Sequence, residues 1–139
     1  MKSCSRGTAL MEFALAWPIV LVLVLGAVQI SIWESEQAAA HDAALAGARA
    51  GTVAGAGVDV AARVAVRAMS TSLVGVGATA WCPRDVRPMP RGIWVCAIDL
   101  GSALQVEVGG SAPLLVPVFP SGVVVVRAHI VLTKETFAR

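Results

Sequence analysis

The chain has 139 residues, a length that allows one small domain with an accessory segment. Its apolar fraction is 57% and its charged fraction 14%, against about 45–50% and about 25% in an ordinary soluble domain, so the composition indicates a membrane segment, a large interaction surface, or both. The net charge of +2, with no run of basic residues, is too weak a positive field to predict nucleic-acid binding.

A long apolar segment near the N-terminus is the strongest feature of the sequence. From Phe13 to Ile32, twenty consecutive residues carry no charge. As an α-helix they would extend about 30 Å, the hydrocarbon thickness of a bilayer. Valine and isoleucine favour a strand in water, but a single strand in lipid leaves its backbone groups unpaired. The segment is therefore predicted to be a transmembrane helix, with Pro18 causing a modest kink near its start.

The charges that flank this segment predict its orientation. Lys2 and Arg6 precede it, and Glu34 and Glu36 follow it. By the positive-inside rule, the N-terminus lies in the cytoplasm and residues 34–139 lie outside. We therefore expect a single-pass protein of the cytoplasmic membrane with an extracytoplasmic C-terminal domain.

One carboxylate, Glu12, lies at the N-terminal end of the apolar segment. A charge there is costly unless it reaches the headgroups or has a partner. Two interpretations stay open from the residues alone: Glu12 extends into the lipid headgroups, or it pairs with a positive charge on another chain. The positive partial charge at a helix N-terminus favours a carboxylate in this position.

The segment RGTALMEF at residues 6–13, followed by an aliphatic span that contains one proline, resembles the prepilin-peptidase site of type IV-filament subunits. The Glu12-Phe13 pair and the short leader are most similar to TadE-type pseudopilins of tight-adherence (Flp-type) pilus systems. The resemblance implies cleavage after Gly7, which makes Thr8 the new N-terminus. It also implies that Glu12, with Phe13 beside it, partners an N-terminal amine in the assembled or assembling filament.

The same resemblance implies a structural function without catalysis. The chain would be a minor pilin or pseudopilin that packs by its N-terminal helix to initiate or cap a tight-adherence type IV pilus. The implied partners are other pilin and pseudopilin subunits, the prepilin peptidase, the inner-membrane assembly platform and membrane lipid, with no nucleic acid and no cofactor. From the cytoplasmic membrane, such a subunit could pass into a surface pilus.

The Ala-rich residues 34–54 are predicted to continue the helix beyond the membrane. Small residues recur there at every fourth position, so they share one helical face and let another backbone approach closely. This face packs either against the chain's own domain or against a neighbouring subunit, and we favour the former slightly. The five residues are Ala39, Ala43, Gly47, Gly51 and Gly55.

Gly55 and Gly57 are predicted to interrupt the helix, and Asp59 is expected to cap a second helix that runs to about Leu73. On this second helix, the spacing of Val60 and Val64 predicts an inward face, and the arginines that follow them are predicted to point outward.

Past the second helix the pattern changes to short segments rich in β-branched residues and bounded by Gly, Pro or Ser. The segments at 78–82, 93–99, 103–108 and 123–133 are predicted to be strands of a three- or four-stranded antiparallel sheet laid on the helices. Residues 111–122 are predicted to be a proline-rich loop whose apolar part, Leu114–Phe119, covers the domain's own core or contacts a filament neighbour. The expected fold class is α+β.

Cys82 and Cys96 are separated by thirteen residues rich in proline. Outside the cytoplasm they would form a disulfide that closes a turn-rich loop, and the alternative is two free, buried thiols. The sequence contains neither a CxxC pair nor a Cys/His cluster, so no metal site is predicted.

Taken together, these segments predict a leader at residues 1–7, a transmembrane or assembly helix at 8–33, a helical extension at 34–56 and an extracytoplasmic domain at 57–139. Two alternatives stay open. The chain could be a plain single-pass protein that presents a binding domain, or a secreted domain whose signal peptide is cut after Ala40. The apolar segment is longer than the 7–15 residues of a usual signal peptide, which argues against the latter.

Overall fold

The computed structural model describes residues 5–53, 55–84, 87–113 and 123–134. The predicted loop segment Leu114–Phe119 and most of the predicted leader lie outside the described residues. The described residues form two helices and one sheet, which confirms the predicted α+β class.

The first helix, α1, runs without interruption over Ser5–Thr52 and includes Pro18 in its apolar half. Its 48 residues correspond to a length of about 70 Å. The apolar segment and its predicted extension are therefore one continuous helix. The chain then turns at Gly55, where a positive φ of 83° suits a residue without a Cβ, and α2 follows over Val58–Met69.

Three predictions about α2 were wrong: its cap, its end and its buried face. Gly57 is the N-cap residue, so Asp59 lies within the first turn and makes no capping hydrogen bond, and the helix ends at Met69. Its buried face consists of Ala61, Ala65 and Met69, one position along from the predicted valines. Because α2 lies very close to α1, the smallest side chains occupy the contact and the valines are displaced to its borders.

The sheet has four strands in the order β1-β2-β3-β4, formed by Thr79–Ala80, Trp94–Asp99, Ala103–Pro113 and Val123–Thr133. Pairs β2–β3 and β3–β4 are antiparallel, as predicted, but β1 pairs with β2 in parallel. The sheet is therefore mixed. A parallel pair needs a long crossover connection, which the chain between β1 and β2 supplies.

A disulfide joins Cys82, just after β1, to Cys96 in β2. The bond lies beside the two-residue β1, whose few ladder hydrogen bonds could not hold the crossover loop alone. The disulfide therefore fixes this edge of the sheet.

Removing this disulfide is expected to lower the free energy of unfolding by about 2–4 kcal/mol, because a loop of this length gains conformational entropy when it is opened. The test is thermal unfolding of the Cys82→Ser/Cys96→Ser protein in detergent micelles, followed by circular dichroism. Cys4→Ser is the matched control, because Cys4 lies in the predicted leader. An unfolding temperature equal in both variants would contradict the structural role.

The core lies between the C-terminal half of α1, α2 and the inner face of the sheet. Alanines supply the helix side of this core and β-branched or aliphatic side chains supply the sheet side. Its fully buried members include Ala40, Ala44, Ala48, Ala61, Ala65, Met69, Leu104, Val106, Val108 and Val126.

The turn between β2 and β3 lies at the end of the sheet where β4 finishes. Lys134 Nζ, just after β4, contacts both carboxylate oxygens of Asp99 at 2.7 and 2.6 Å. This contact, together with the Gly101 N–H, holds the pKa of Asp99 below its ordinary value. The contact is thus present at neutral pH and is lost as the pH falls through the lowered pKa.

Candidate functional site

The N-terminal half of α1 extends away from the domain as an apolar arm, residues 10–28. All of its residues are exposed apart from Gly26, which is half-buried. Its most apolar 18-residue window has a mean hydropathy of 2.4, and none of that window is buried. Among the described residues, α1 is therefore one helix that could cross a membrane by length and composition. None of the described residues covers this surface, and an exposed apolar surface of this size indicates a site that contacts lipid or other helices.

The predicted processing and assembly residues lie at the start of this helix. Gly7 and Thr8 belong to its first turn, and Glu12 is exposed one turn after Thr8 on the same helical face. Phe13 is exposed and stacks on Trp17, with ring centroids 5.7 Å apart. The structure thus presents Glu12 and Phe13 outward, away from the domain.

The small-residue face of α1 serves the domain itself along most of its length. A Cβ built on Gly47 would lie 2.7 Å from the carbonyl oxygen of Ala61 and 2.7 Å from the Cβ of Ala65, and both atoms belong to α2. One turn later, a Cβ on Gly51 would collide with the Leu104 side chain and lie 2.7 Å from the Ala61 Cβ. These two glycines therefore let α1 and α2 pack backbone against backbone.

The other three members of the stripe have different environments. Ala43 is buried in the same core, and Ala39 is partly buried against it. Gly55 lies beyond the helix in the exposed turn. The stripe is thus occupied by intramolecular packing at its centre, which is the arrangement we favoured from the sequence.

Glu36 makes a buried structural contact that the sequence analysis did not predict. Its side chain is only 2% exposed, although it follows the apolar segment directly. Its Oε1 accepts hydrogen bonds from the backbone N–H groups of Leu73 and Val74, at 3.1 and 3.4 Å. Among the described residues, Oε2 has no hydrogen-bond partner. Glu36 therefore fixes the loop after α2 to α1, about two turns beyond the end of the apolar arm.

On the neighbouring face of α1, two side chains hold the edge strand β4. The Trp33 indole N–H donates to the carbonyl oxygen of Val125 at 3.3 Å. The Gln37 side-chain amide donates to the carbonyl of Arg127 and accepts from its N–H, as a neighbouring strand would. These side chains bond backbone groups of β4 that an edge strand would otherwise leave unpaired. In this way α1 protects β4 from pairing with other chains.

The outer face of the sheet carries the main polar cluster of the described residues. Arg127 Nη2 and Nε contact Glu107 Oε1 at 2.8 and 3.0 Å, and Glu107 is 8% exposed. His129 lies opposite Glu107 in the strand register. A groove of about 400 Å³ beside this pair is lined mostly by apolar atoms, including Trp94 and Val125. The ion pair thus satisfies a buried carboxylate and joins β3 to β4.

Metal ligands do not cluster in the part of the chain that the structure describes. No group of three or more His, Cys, Asp or Glu side chains there could hold an ion. His41 and Asp42 are neighbours with their ring nitrogen and carboxylate oxygen 3.9 Å apart, and both are exposed.

These features define a small α+β domain carried on one long helix whose N-terminal half is a candidate membrane anchor. Residues 7–49 match the family model described as TadE-like protein. The match confirms the resemblance to TadE-like proteins and links the chain to pilus systems of that type. It covers the apolar arm and most of the buried half of α1. No curated protein and no solved structure matches the chain significantly.

Proposed function

We propose that this chain is a minor pilin or pseudopilin of a tight-adherence pilus, cut after Gly7 and assembled through its N-terminal helix. The observation that carries the proposal is the apolar arm, which is exposed along residues 10–28, follows Gly7 and Thr8 and contains Glu12 near its start. A helix of this kind is stable only when lipid or other helices cover it.

The proposed assembly contact is electrostatic. Cleavage after Gly7 creates an ammonium group at Thr8, at nearly the same depth as Glu12 of an adjacent helix. At the edge of the hydrocarbon layer a lone carboxylate is costly, so an amine from a neighbouring subunit stabilises it. The pair would set the axial register between adjacent subunits, while the aliphatic side chains of the arm supply the lateral contact area.

The proposed role is structural and involves no reaction step. The described polar side chains support it, because Glu36, Gln37, Glu107 and Asp99 are engaged in holding loops and strands in place. The partners are other pilin and pseudopilin subunits, the prepilin peptidase and the assembly platform. In this proposal the N-terminus faces the cytoplasm and the domain lies outside the cytoplasmic membrane.

Replacing Glu12 with alanine is expected to reduce pilus assembly while leaving the amount of membrane-bound protein unchanged. A hydrogen bond to a charged group contributes about 1.5–3 kcal/mol, which corresponds to roughly a ten- to hundredfold loss in an assembly equilibrium. The measurement is the number of surface pili on cells whose sole copy is the variant, with membrane-protein content determined in parallel.

Glu34→Ala is the matched control, because Glu34 is an exposed carboxylate at the other end of the same apolar segment. It should assemble pili as the unchanged protein does. Normal piliation by the Glu12→Ala cells, or an equal loss in the Glu34→Ala cells, would contradict the proposed pairing.

A further inference from the structure

The domain contacts the predicted membrane span before that span ends. The uncharged segment runs to Ile32, yet Gln29 is only 9% exposed. Residues 13–28, which remain outside the domain, would extend about 24 Å as a helix, less than the roughly 30 Å of the hydrocarbon layer. The helix alone therefore leaves the domain boundary at or below the membrane surface.

Strand β4 descends along α1 into this boundary. Val125 is bonded to Trp33, and Arg127 is bonded to Gln37, so β4 and α1 run side by side in the same direction. Four helical residues rise about 6 Å and two strand residues about 6.6 Å, so the two registers advance together. Two residues before Val125 in β4 and four residues before Trp33 in α1, the same spacing brings Val123 to the level of Gln29.

The loop after α2 lies against a neighbouring face of α1, at the same end of the domain. Glu36 binds the N–H groups of Leu73 and Val74, one turn above Trp33. We call the four exposed apolar residues at this end of the domain the proximal rim. They are Leu73, Val76, Val123 and Val125, with exposed fractions of 77%, 76%, 43% and 67%.

Several polar groups of the loop have partners within the chain, which lowers the cost of bringing the loop into lipid. The hydroxyls of Ser70 and Thr71 donate to carbonyls of α2 at 2.7 and 2.8 Å. Ser72 Oγ accepts the Gly75 N–H at 2.9 Å. The Leu73 and Val74 N–H groups bond to Glu36, and the Leu73 side chain is exposed.

We propose that the proximal rim enters the lipid interface of the bilayer that α1 crosses. This inference rests on the proposed membrane anchorage and specifies how the domain meets the lipid. If the rim stayed above the headgroups, a full-length span would have to start near residue 9 and would draw Glu12 into the hydrocarbon, where a charge is costly. A rim in the interface lets residues 13–32 serve as the span and leaves Glu12 at the opposite surface.

Site-specific fluorescence quenching tests this placement. Single cysteines replace Leu73, Val76 or Val125 in the full-length Cys4→Ser protein, with the Cys82–Cys96 disulfide intact. Each is labelled with an environment-sensitive dye after reconstitution into vesicles of phosphatidylethanolamine and phosphatidylglycerol. The matched control is Leu100→Cys, which is 51% exposed in the turn between β2 and β3, at the end of the sheet remote from Trp33.

We expect a several-fold stronger quenching by lipids spin-labelled near the headgroup for the three rim positions than for Leu100→Cys, with iodide quenching in the opposite order. Rim labels that respond like Leu100→Cys would overturn the proposal, as would labels shielded from both quenchers, since a neighbouring protein would then cover the rim. A label at Leu21→Cys tests the membrane anchorage separately from the placement of the rim. Lipid quenching at Leu21 without quenching at the rim defeats the rim alone, and no quenching at either defeats the membrane anchorage as well.

Discussion

Replacing Gly47 with valine will lower the stability of the domain by about 2–3 kcal/mol. A side chain at this position would meet the carbonyl oxygen of Ala61 and the Cβ of Ala65, each 2.7 Å from the new Cβ. One of these atoms belongs to the backbone of α2, so rotation of a side chain cannot relieve the overlap and the two helices must separate. In a domain of this size the loss corresponds to a fall of roughly 10 °C or more in the unfolding temperature.

Gly26→Val provides the matched control for this experiment. Gly26 is also a glycine inside α1, but no atom lies within 4 Å of a Cβ built there. The intrinsic cost of a β-branched residue in the helix is therefore similar in both variants, and only the contact with α2 differs. Thermal unfolding of the full-length protein in micelles should show a small change for Gly26→Val. Equal shifts for the two variants would contradict the packing described for α1 and α2.

Replacing Glu36 with alanine is the second change with a large expected effect. It removes the acceptor of the Leu73 and Val74 N–H groups and leaves a cavity in a position that is 2% exposed. Unsatisfied donors and lost packing together should destabilise the domain by about 2–3 kcal/mol. The loop should also become mobile, which hydrogen exchange at Leu73 and Val74 would detect directly.

Glu36→Gln separates hydrogen bonding from charge at the same position. The amide oxygen can accept both N–H groups, while the negative charge is removed from a buried site. We therefore expect this variant to keep the slow exchange of Leu73 and Val74 and most of the stability. If Glu36→Gln were as unstable as Glu36→Ala, the carboxylate would act through its charge and not through the two hydrogen bonds described.

Local sequence patterns predicted much of this fold, because helix and strand formation depend largely on neighbouring residues. The uncharged segment at 13–32 predicted a helix from its length and from the need to pair its backbone in lipid, and β4 was predicted with its observed bounds from a run of β-branched residues. In β3, the strand continues to Pro113 through two glycines that the sequence pattern places outside it. The Trp94 ring packs over Gly109 and fills the space that a side chain at this position would take.

Features that depend on distant parts of the chain could not be predicted in the same way. The parallel direction of β1 goes with a crossover loop and a disulfide. The sequence shows the loop and the two cysteines, but neither reveals the direction in which β1 pairs. Glu36 was interpreted as a flanking charge because its partners are backbone groups 37 and 38 residues away. On α2, valine spacing and alanine spacing are equally helical, and only the proximity of α1 selects Ala61 and Ala65 for the contact.

The mature N-terminus is the most direct measure of the central claim, that this chain is a processed filament subunit. It can be determined by mass spectrometry of the protein expressed with its own prepilin peptidase and extracted from membranes. A mature chain that starts at Thr8 is the result we predict, and a Gly7→Leu variant should then remain uncut. An intact N-terminus at Met1 would indicate an ordinary membrane anchor and a start at His41 a secreted domain, and either result would contradict the proposed function.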